Sequence, residues 1–266
     1  MNEILIQLIL GAIQGITEWL PVSSSGITAL MLSNFFGINT IPEIIHISLF
    51  LHLGTFFAAL IYFRKEVIKF FKTLFSYKNS EKEDKNVFKF LVFSTIITGA
   101  IGFFILRTLI SFESQLEITG KTITLFVGVL LLFTGFVQLR VRKKGHKTEL
   151  NLKNSDGFIL GFAQGLASLP GLSRSGITIS TLLFKKFDDT TALRLSFLMS
   201  MPVILIGNIF LNLPDFTITG ATIYGLFASF GLGLITIHGL MKLSRKINFG
   251  WFVLVFAVLM LLSLLV

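Results

Sequence analysis

Gln14-Gly-Ile-Thr-Glu18-Trp-Leu-Pro21-Val-Ser23-Ser-Ser25-Gly26-Ile27 is the stretch on which the reading of this chain turns. Gln164-Gly-Leu-Ala-Ser168-Leu-Pro170-Gly-Leu-Ser173-Arg174-Ser175-Gly176-Ile177 is its near-copy. A shift of 150 positions lays Ile9, Leu10, Gly11, Gln14, Gly15, Ser23, Ser25, Gly26 and Ile27 on Ile159, Leu160, Gly161, Gln164, Gly165, Ser173, Ser175, Gly176 and Ile177. The chain therefore contains an internal repeat. Its copies differ in charge: Glu18 is the only charged residue in 4–42, and Arg174 the only one in 157–184. The apolar runs around the first tip, 4–16 and 27–38, are each shorter than the roughly 20 residues that cross a bilayer. Two short arms joined by a Pro- and Ser-containing tip describe a re-entrant hairpin. Its irregular tip must line a cavity, because lipid cannot satisfy its backbone groups.

Composition fixes the solvent. With 53% hydrophobic residues, 30 Phe, 14% charged residues and a mean hydropathy of +0.82, the chain has too little polar surface to cover a soluble globule of 266 residues. It reads as an integral membrane protein. The 23 Lys and Arg against 14 Asp and Glu give +9. These basic residues cluster in short loops between apolar segments, the pattern of cytoplasmic loops and anionic-lipid contact rather than of nucleic-acid binding. Zero Cys excludes disulfides, thiolate metal sites and a Cys nucleophile. Met-Asn-Glu lacks a basic stretch, and the run 4–13 leads to Glu18-Trp-Leu-Pro21 rather than to a small-residue cleavage site, so no removable signal peptide is expected.

Outward from the hairpins, 44–63 is long enough to span and is followed by a Lys-rich loop over 64–89. Residues 90–109 return to a short segment with Glu113 and Glu117, and 122–139 cross to Arg140, Arg142, Lys144 and Lys147. After the second hairpin, 193–211 exit, 223–240 re-enter ahead of Lys242, Arg245 and Lys246, and 251–266 finish. An odd number of crossings, three, separates the hairpins, so the repeats lie upside down relative to each other. The expected fold is an all-α integral membrane protein with one membrane domain over 1–266. It has six full transmembrane helices plus two re-entrant helical hairpins in an inverted-topology repeat. The first repeat is 1–140 with its hairpin at about 4–38; the second is 151–266 with its hairpin at about 157–184. The distribution of positive charge puts the first hairpin outside and the second inside, leaving open which face the shared pocket drains to.

Each tip carries Ser-Ser/Arg-Ser-Gly ahead of an apolar arm, and Ser is a favoured N-cap, so each tip is expected to start a half-helix near the midplane. Two helix N-termini and Arg174 make an anion site, and the planar guanidinium suits a phosphate. Glu18 beside a phosphate is repulsive unless it handles a proton or a metal. Ser23, Ser24 and Ser25 supply hydroxyls five to seven residues beyond it. A serine activated by a base, opposite an arginine that stabilises phosphoryl charge, is an arrangement for phosphoryl transfer. The repeat places Ser24 opposite Arg174.

These residues carry a resemblance. Gln14 to Gly26 and Pro170 to Ser180 resemble the two signature motifs of the undecaprenyl-diphosphate phosphatases of the bacitracin-resistance type. Leu51-His52-Leu-Gly-Thr-Phe-Phe-Ala58 and Ala192-Leu-Arg-Leu-Ser-Phe-Leu-Met-Ser-Met-Pro202 are also similar to that family. The resemblance implies hydrolysis of a C55 polyprenyl diphosphate to the monophosphate in the cell membrane, recycling the lipid carrier of cell-wall glycans. It implies a site opening to the outer face, no intrinsic cofactor, and Mg²⁺ or Ca²⁺ as a candidate added ion. It puts Glu18, Ser24 and Arg174 at the catalytic positions. Gln14, Ser23, Ser25, Gly26, Ser173, Ser175, Gly176 and Thr178 are the candidate substrate-binding residues, and no metal ligands are assigned. The partners expected are the polyprenyl diphosphate lipid and the membrane, not nucleic acid, with a homodimer as an option. One departure stands out: the family commonly has His after the Ser-Gly, and this chain has Ile27.

Competing readings stand beside these. Glu18 and Arg174 are alternatively an ion pair locking the hairpins, and Gln14 and Gln164 polar glue between helices. Thr178 is alternatively bonded to its own helix backbone. His52 reads as a core histidine bonded to a backbone carbonyl, with the place of the missing imidazole as the alternative. Trp19 is an interfacial anchor or a wall of an isoprenoid groove. Water held by Glu18 rivals Ser24 as nucleophile. A polyprenyl-phosphate transporter or flippase using the same anion site is the alternative function.

Overall fold

The computed structural model describes residues 2–112, 120–140, 145–214, 216–243 and 249–265. Glu113, Glu117, Arg142, Lys144, Arg245 and Lys246, part of the loop charge pattern, lie outside them. Among the described residues the chain is helical, and the one β contact is an isolated bridge between Lys147 and Phe187.

Helix α1, Glu3–Thr17, starts under the side chain of Asn2, which accepts from Ile4 N at 3.1 Å. It ends where Glu18 N–H still reaches Gln14 O and Pro21 lies three residues on, a residue that cannot extend the ladder. Ser23 then adopts φ 61°, and its hydroxyl accepts from Gly26 N to open α2, Ser24–Phe36, which stops at Gly37 with φ 72°. Helix α3 is Ile41–Tyr62, with Pro42 in its first turn. The Lys-rich segment expected as a loop is instead helix α4, Arg64–Phe75, a short 3-10 turn, and the first turns of the 31-residue α5, Lys82–Phe112. Residues 64–89 contain no Gly or Pro. Their apolar and basic side chains alternate at helical spacing, so charge did not prevent a helix.

Helix α6 is Gly120–Leu139. The second hairpin is α7, Asn154–Leu166, and α8, Arg174–Phe184, capped by Ser173 through Gly176 N at 3.1 Å. Helix α9, Asp189–Gly207, contains Pro202 and runs into a π-helical turn, Asn208–Asn212. Helices α10, Gly220–Leu243, and α11, Phe249–Leu262, complete the chain.

Among the described residues five helices are long and apolar enough to cross a membrane: Ile41–Tyr62, Lys82–Ser111, Gly120–Leu139, Asp189–Asn212 and Gly220–Lys242. Two more are apolar but shorter, Glu3–Thr17 and Val253–Leu262. At 1.5 Å per residue, α1 is about 22 Å long and α2 about 20 Å, both short of the ~30 Å hydrocarbon core.

Packing exchanges partners between the halves. Helix α1 lies along α10 and α7 lies along α5; α3 packs on α10 and α9 on α5; α6 packs on α11. Glycines permit the first two contacts. A Cβ on Gly15 would stand 2.7 Å from Ser229 O of α10, and one on Gly161 2.8 Å from Ser94 O of α5. In lipid, where apolar side chains gain little from meeting each other rather than acyl chains, such close backbone approach is a main source of helix association. The central cluster of buried Trp19, Phe63, Phe90, Phe187 and Phe197 lies beneath the hairpin tips.

Candidate active site

The two tips meet. Ser23 Oγ accepts from Gly26 N of its own helix and from Gly171 N of the opposite tip at 3.1 Å, where Gly171 has φ 105°. Ser175 Oγ donates to Leu20 O at 2.8 Å, and Gln138 Nε2 of α6 to Pro21 O at 3.1 Å. Carbonyls and hydroxyls left over where the helices break are thus satisfied across the hairpin junction rather than by lipid.

Glu18, at the break after α1, is 5% exposed. Its Oε1 accepts from Arg174 Nη2. Its Oε2 accepts from Gln14 Nε2 at 2.8 Å and Ser24 Oγ at 2.6 Å, and stands 3.1 Å from His52 Nε2. Arg174 sends its other nitrogen to Ser196 O at 3.1 Å and places its guanidinium carbon 5.8 Å from the centre of the Trp19 ring. A carboxylate and a guanidinium removed from water are tolerable only as such a hydrogen-bonded pair. The hydroxyl-to-carboxylate distance is within the reach a general base needs.

Above this centre lies a cavity of about 560 Å³. Its polar end is lined by Glu18, Ser23, Ser24, Ser25, His52, Ser173, Arg174 and Ser175. Its walls are apolar, with Ile44 and Leu49 of α3, Phe103 and Leu106 of α5, and Ile206 and Phe210 of α9 and its π turn. Phe103 is 50% and Phe210 72% exposed, so the walls run out to the lipid-facing surface. The first-turn N–H groups of α2 and α8 lack helical acceptors by construction, and they add partial positive charge at the polar end. The shape suits an amphiphile with an anionic head.

Of the residues singled out from sequence, Glu18, Ser24, Arg174, Ser23, Ser25, Ser173 and Ser175 line the cavity together. Gln14, Gly26, Gly176 and Thr178 do not line it. Gln14 holds Glu18 from behind, and Gly26 and Gly176 give their N–H groups to the capping serines. Thr178 bonds Arg174 O at 2.8 Å and Ser196 Oγ at 2.7 Å, securing the arginine's helix to α9. Ile27 packs in the cluster around Val127 and Leu131. Trp19 is 1% exposed, donates to Gly233 O at 3.0 Å and meets Phe197 edge-on. It is therefore neither an interfacial anchor nor a groove wall; its indole N–H found a buried carbonyl on α10. His52 makes both contacts between which the sequence left the choice open, Ser48 O at 2.6 Å through Nδ1 and Glu18 through Nε2. Its signal was present in the sequence, an imidazole inside an apolar span that it shares with His46. Ser196, whose carbonyl orients Arg174, carried no signal, since any residue offers that oxygen.

The centre does not fit a resident divalent cation. Mg²⁺ and Ca²⁺ need several free oxygen ligands, whereas both oxygens of Glu18 are engaged by protein donors. Among the described residues no group of three or more His, Asp or Glu stands together.

A bundle of membrane-length helices that closes two hairpin tips over a buried carboxylate, hydroxyl and guanidinium defines a multi-pass helical membrane protein with a polar centre inside it. The chain belongs to the BacA family: the family model described as bacitracin resistance protein BacA matches residues 7–262. It is 40% identical over 261 residues to the undecaprenyl-diphosphatase of Methanococcoides burtonii, covering 97% of each chain. It is 35% identical to the undecaprenyl-diphosphatase of Methanothrix thermoacetophila over 92% of this chain and 91% of that one. The undecaprenyl-diphosphatase of Christiangramia forsetii is 34% identical over 94% and 93%.

Proposed function

We propose that this chain is a membrane phosphatase that hydrolyses undecaprenyl or a similar polyprenyl diphosphate to the monophosphate and phosphate, recycling the lipid carrier of cell-wall glycan synthesis in the cell membrane. The observation that carries the reading is Ser24 Oγ at 2.6 Å from a carboxylate whose other oxygen is held by Arg174. The names of the relatives and the amphiphile-shaped cavity support it; they do not favour the polyprenyl-phosphate carrier, which gains nothing from a carboxylate poised on a hydroxyl.

In the proposed reaction the diphosphate enters the polar end of the cavity and takes hydrogen bonds from Arg174 and the N–H groups at the starts of α2 and α8. Ser24 Oγ passes its proton to Glu18 Oε2 and bonds to the terminal phosphorus. The bond from that phosphorus to the bridging oxygen breaks, and the lipid monophosphate leaves with the electron pair. Water then adds to the phosphorus, the bond to Oγ breaks, and Glu18 returns its proton to Ser24, releasing H₂PO₄⁻. Arg174 stabilises the phosphoryl oxygens in both steps. No step is assigned to a resident metal, and an added Mg²⁺ or Ca²⁺ would serve only to neutralise the free diphosphate.

Six full spans and two re-entrant hairpins in inverted repeats remain the reading of the membrane topology, with repeats at 1–140 and 151–266. It is supported by the exchanged packing of α1 on α10 and α7 on α5 and by the apolar α11. A homodimer is compatible with this reading and plays no part in the chemistry.

Phosphate release from C55 diphosphate in detergent, with and without Mg²⁺ or Ca²⁺, tests the proposal. Wild-type protein turns over, and Glu18→Gln and Ser24→Ala each lower kcat by about 10³-fold or more. Phosphate appearing on Ser24 in quenched reactions separates the serine route from direct attack by water. Wild-type protein that releases nothing under any of these ionic conditions overturns the enzyme reading.

A further inference from the structure

His52 lies on α3 with its side chain 16% exposed, and both of its ring nitrogens meet acceptors. Nδ1 stands 2.6 Å from the carbonyl oxygen of Ser48, one turn back on the same helix. A carbonyl oxygen carries no proton, so Nδ1 donates. In a neutral ring Nε2 is then bare, and a bare nitrogen 3.1 Å from Glu18 Oε2 is a buried contact between lone pairs. A second proton must lie between them. Oε2 already accepts from Gln14 at 2.8 Å and Ser24 at 2.6 Å, and Oε1 faces Arg174. Every protein donor around the carboxylate treats it as an acceptor, which leaves that second proton on Nε2.

We propose that His52 is the second cation of the centre: a resting imidazolium that fixes Glu18 Oε2 toward Ser24 and, with Arg174, leaves one net positive charge to meet a polyanionic headgroup. The proposal rests on the phosphatase reading and deepens it. Among the described residues lining the cavity, Glu18, His52 and Arg174 are the titratable ones. Arg194 of α9 is paired with Glu149, of the turn Glu149–Asn151, at 2.9 Å. His52 keeps its proton through both chemical steps. It is a positioning residue that acts through Glu18 and through the field it adds, and it favours a headgroup of two phosphates over one.

His52→Gln tests this, since its amide N–H can still reach Oε2 while carrying no charge. With polyprenyl diphosphate in detergent, His52→Gln raises KM and the inhibition constant of inorganic phosphate by about tenfold, the effect of about one desolvated charge, with a smaller loss in kcat. The wild-type fall of kcat/KM toward alkaline pH, where the imidazolium deprotonates, is absent in His52→Gln. The decisive readout is independent of activity and of any variant at His52. ¹⁵N NMR of histidine-labelled protein at neutral pH, with the His52 signal identified by single Gln substitutions at His46, His146 and His238, shows the His52 ring doubly protonated in the wild type and neutral in Glu18→Gln. A neutral His52 in the wild-type protein overturns the proposal, as does an alkaline limb unchanged in His52→Gln. Absence of phosphate release from a wild-type protein with a charged His52 instead overturns the phosphatase reading and leaves the cation in place.

Discussion

The two hairpins share a backbone plan and differ in chemistry. Each has a capping serine, Ser23 or Ser173, whose hydroxyl takes the N–H of a glycine three residues on. Each has an arm whose glycines press against a long helix of the other half. The left-handed residue that turns the first tip is the capping serine itself, whereas the second tip makes its left-handed turn at Gly171, and Ser173 stays extended at φ −74°. The equivalent glutamines diverge in the same way: Gln14 donates to Glu18, while Gln164 donates to Thr98 Oγ1 and Met199 O. The first tip supplies a carboxylate and a hydroxyl, the second a guanidinium, and the ion pair needs both tips.

The sharpest way to break this comparison is to exchange the charges. Glu18→Arg combined with Arg174→Glu preserves an ion pair across the tips but moves the carboxylate away from Ser24. Phosphate release falls by about 10³-fold or more, and the melting temperature in detergent falls as well, because the new guanidinium at the first tip would face the Gln14, Ser24 and His52 donors and the new carboxylate at the second the carbonyl of Ser196. Near-normal turnover would show that the hairpins are chemically interchangeable. A second comparison uses the arms. Gly15→Leu and Gly165→Leu each force a side chain into a helix contact already closed, by Ser229 O in the first case and Ile101 Cβ in the second, each 2.7 Å from where the new Cβ would sit. Each destabilises by about 1–3 kcal/mol, read as a lowered thermal midpoint. Equal losses support equivalent frames; a loss in one alone breaks the symmetry. The smallest effect separates the glutamines. Gln14→Leu lowers kcat by about tenfold by releasing Glu18. Gln164→Leu leaves kcat within about twofold and costs about 0.6 kcal/mol of stability, the typical worth of an interhelical hydrogen bond in a membrane protein.

Much of this site was legible in the chain because a bilayer magnifies polar residues. Glu18 and Arg174, each alone in an apolar stretch, had to find partners, and the repeat indicated which ones. Proline and serine at the tips announced broken helices that need an internal lining. What escaped has physical reasons too. The contact of Ser196 with Arg174 runs through its carbonyl, which has no sequence signature. Residue type alone suggests an interface or a groove wall for Trp19, but the position of Gly233 O is a tertiary fact. Over 64–89 the lysines suggest a loop, although helical spacing of Ile68, Phe71 and Phe75 makes one exposed apolar stripe there, at 52%, 52% and 82% exposure. Charge density and periodicity give opposite answers, and periodicity prevails.

Glu18 and the guanidinium that neutralises it are 156 positions apart in the chain. During synthesis the amino-terminal arm therefore emerges with its carboxylate long before the matching arginine has been translated. Until then that arm lacks α10 to lie against and Arg174 to pair with, so the first tip is completed only by the half of the chain that is made last.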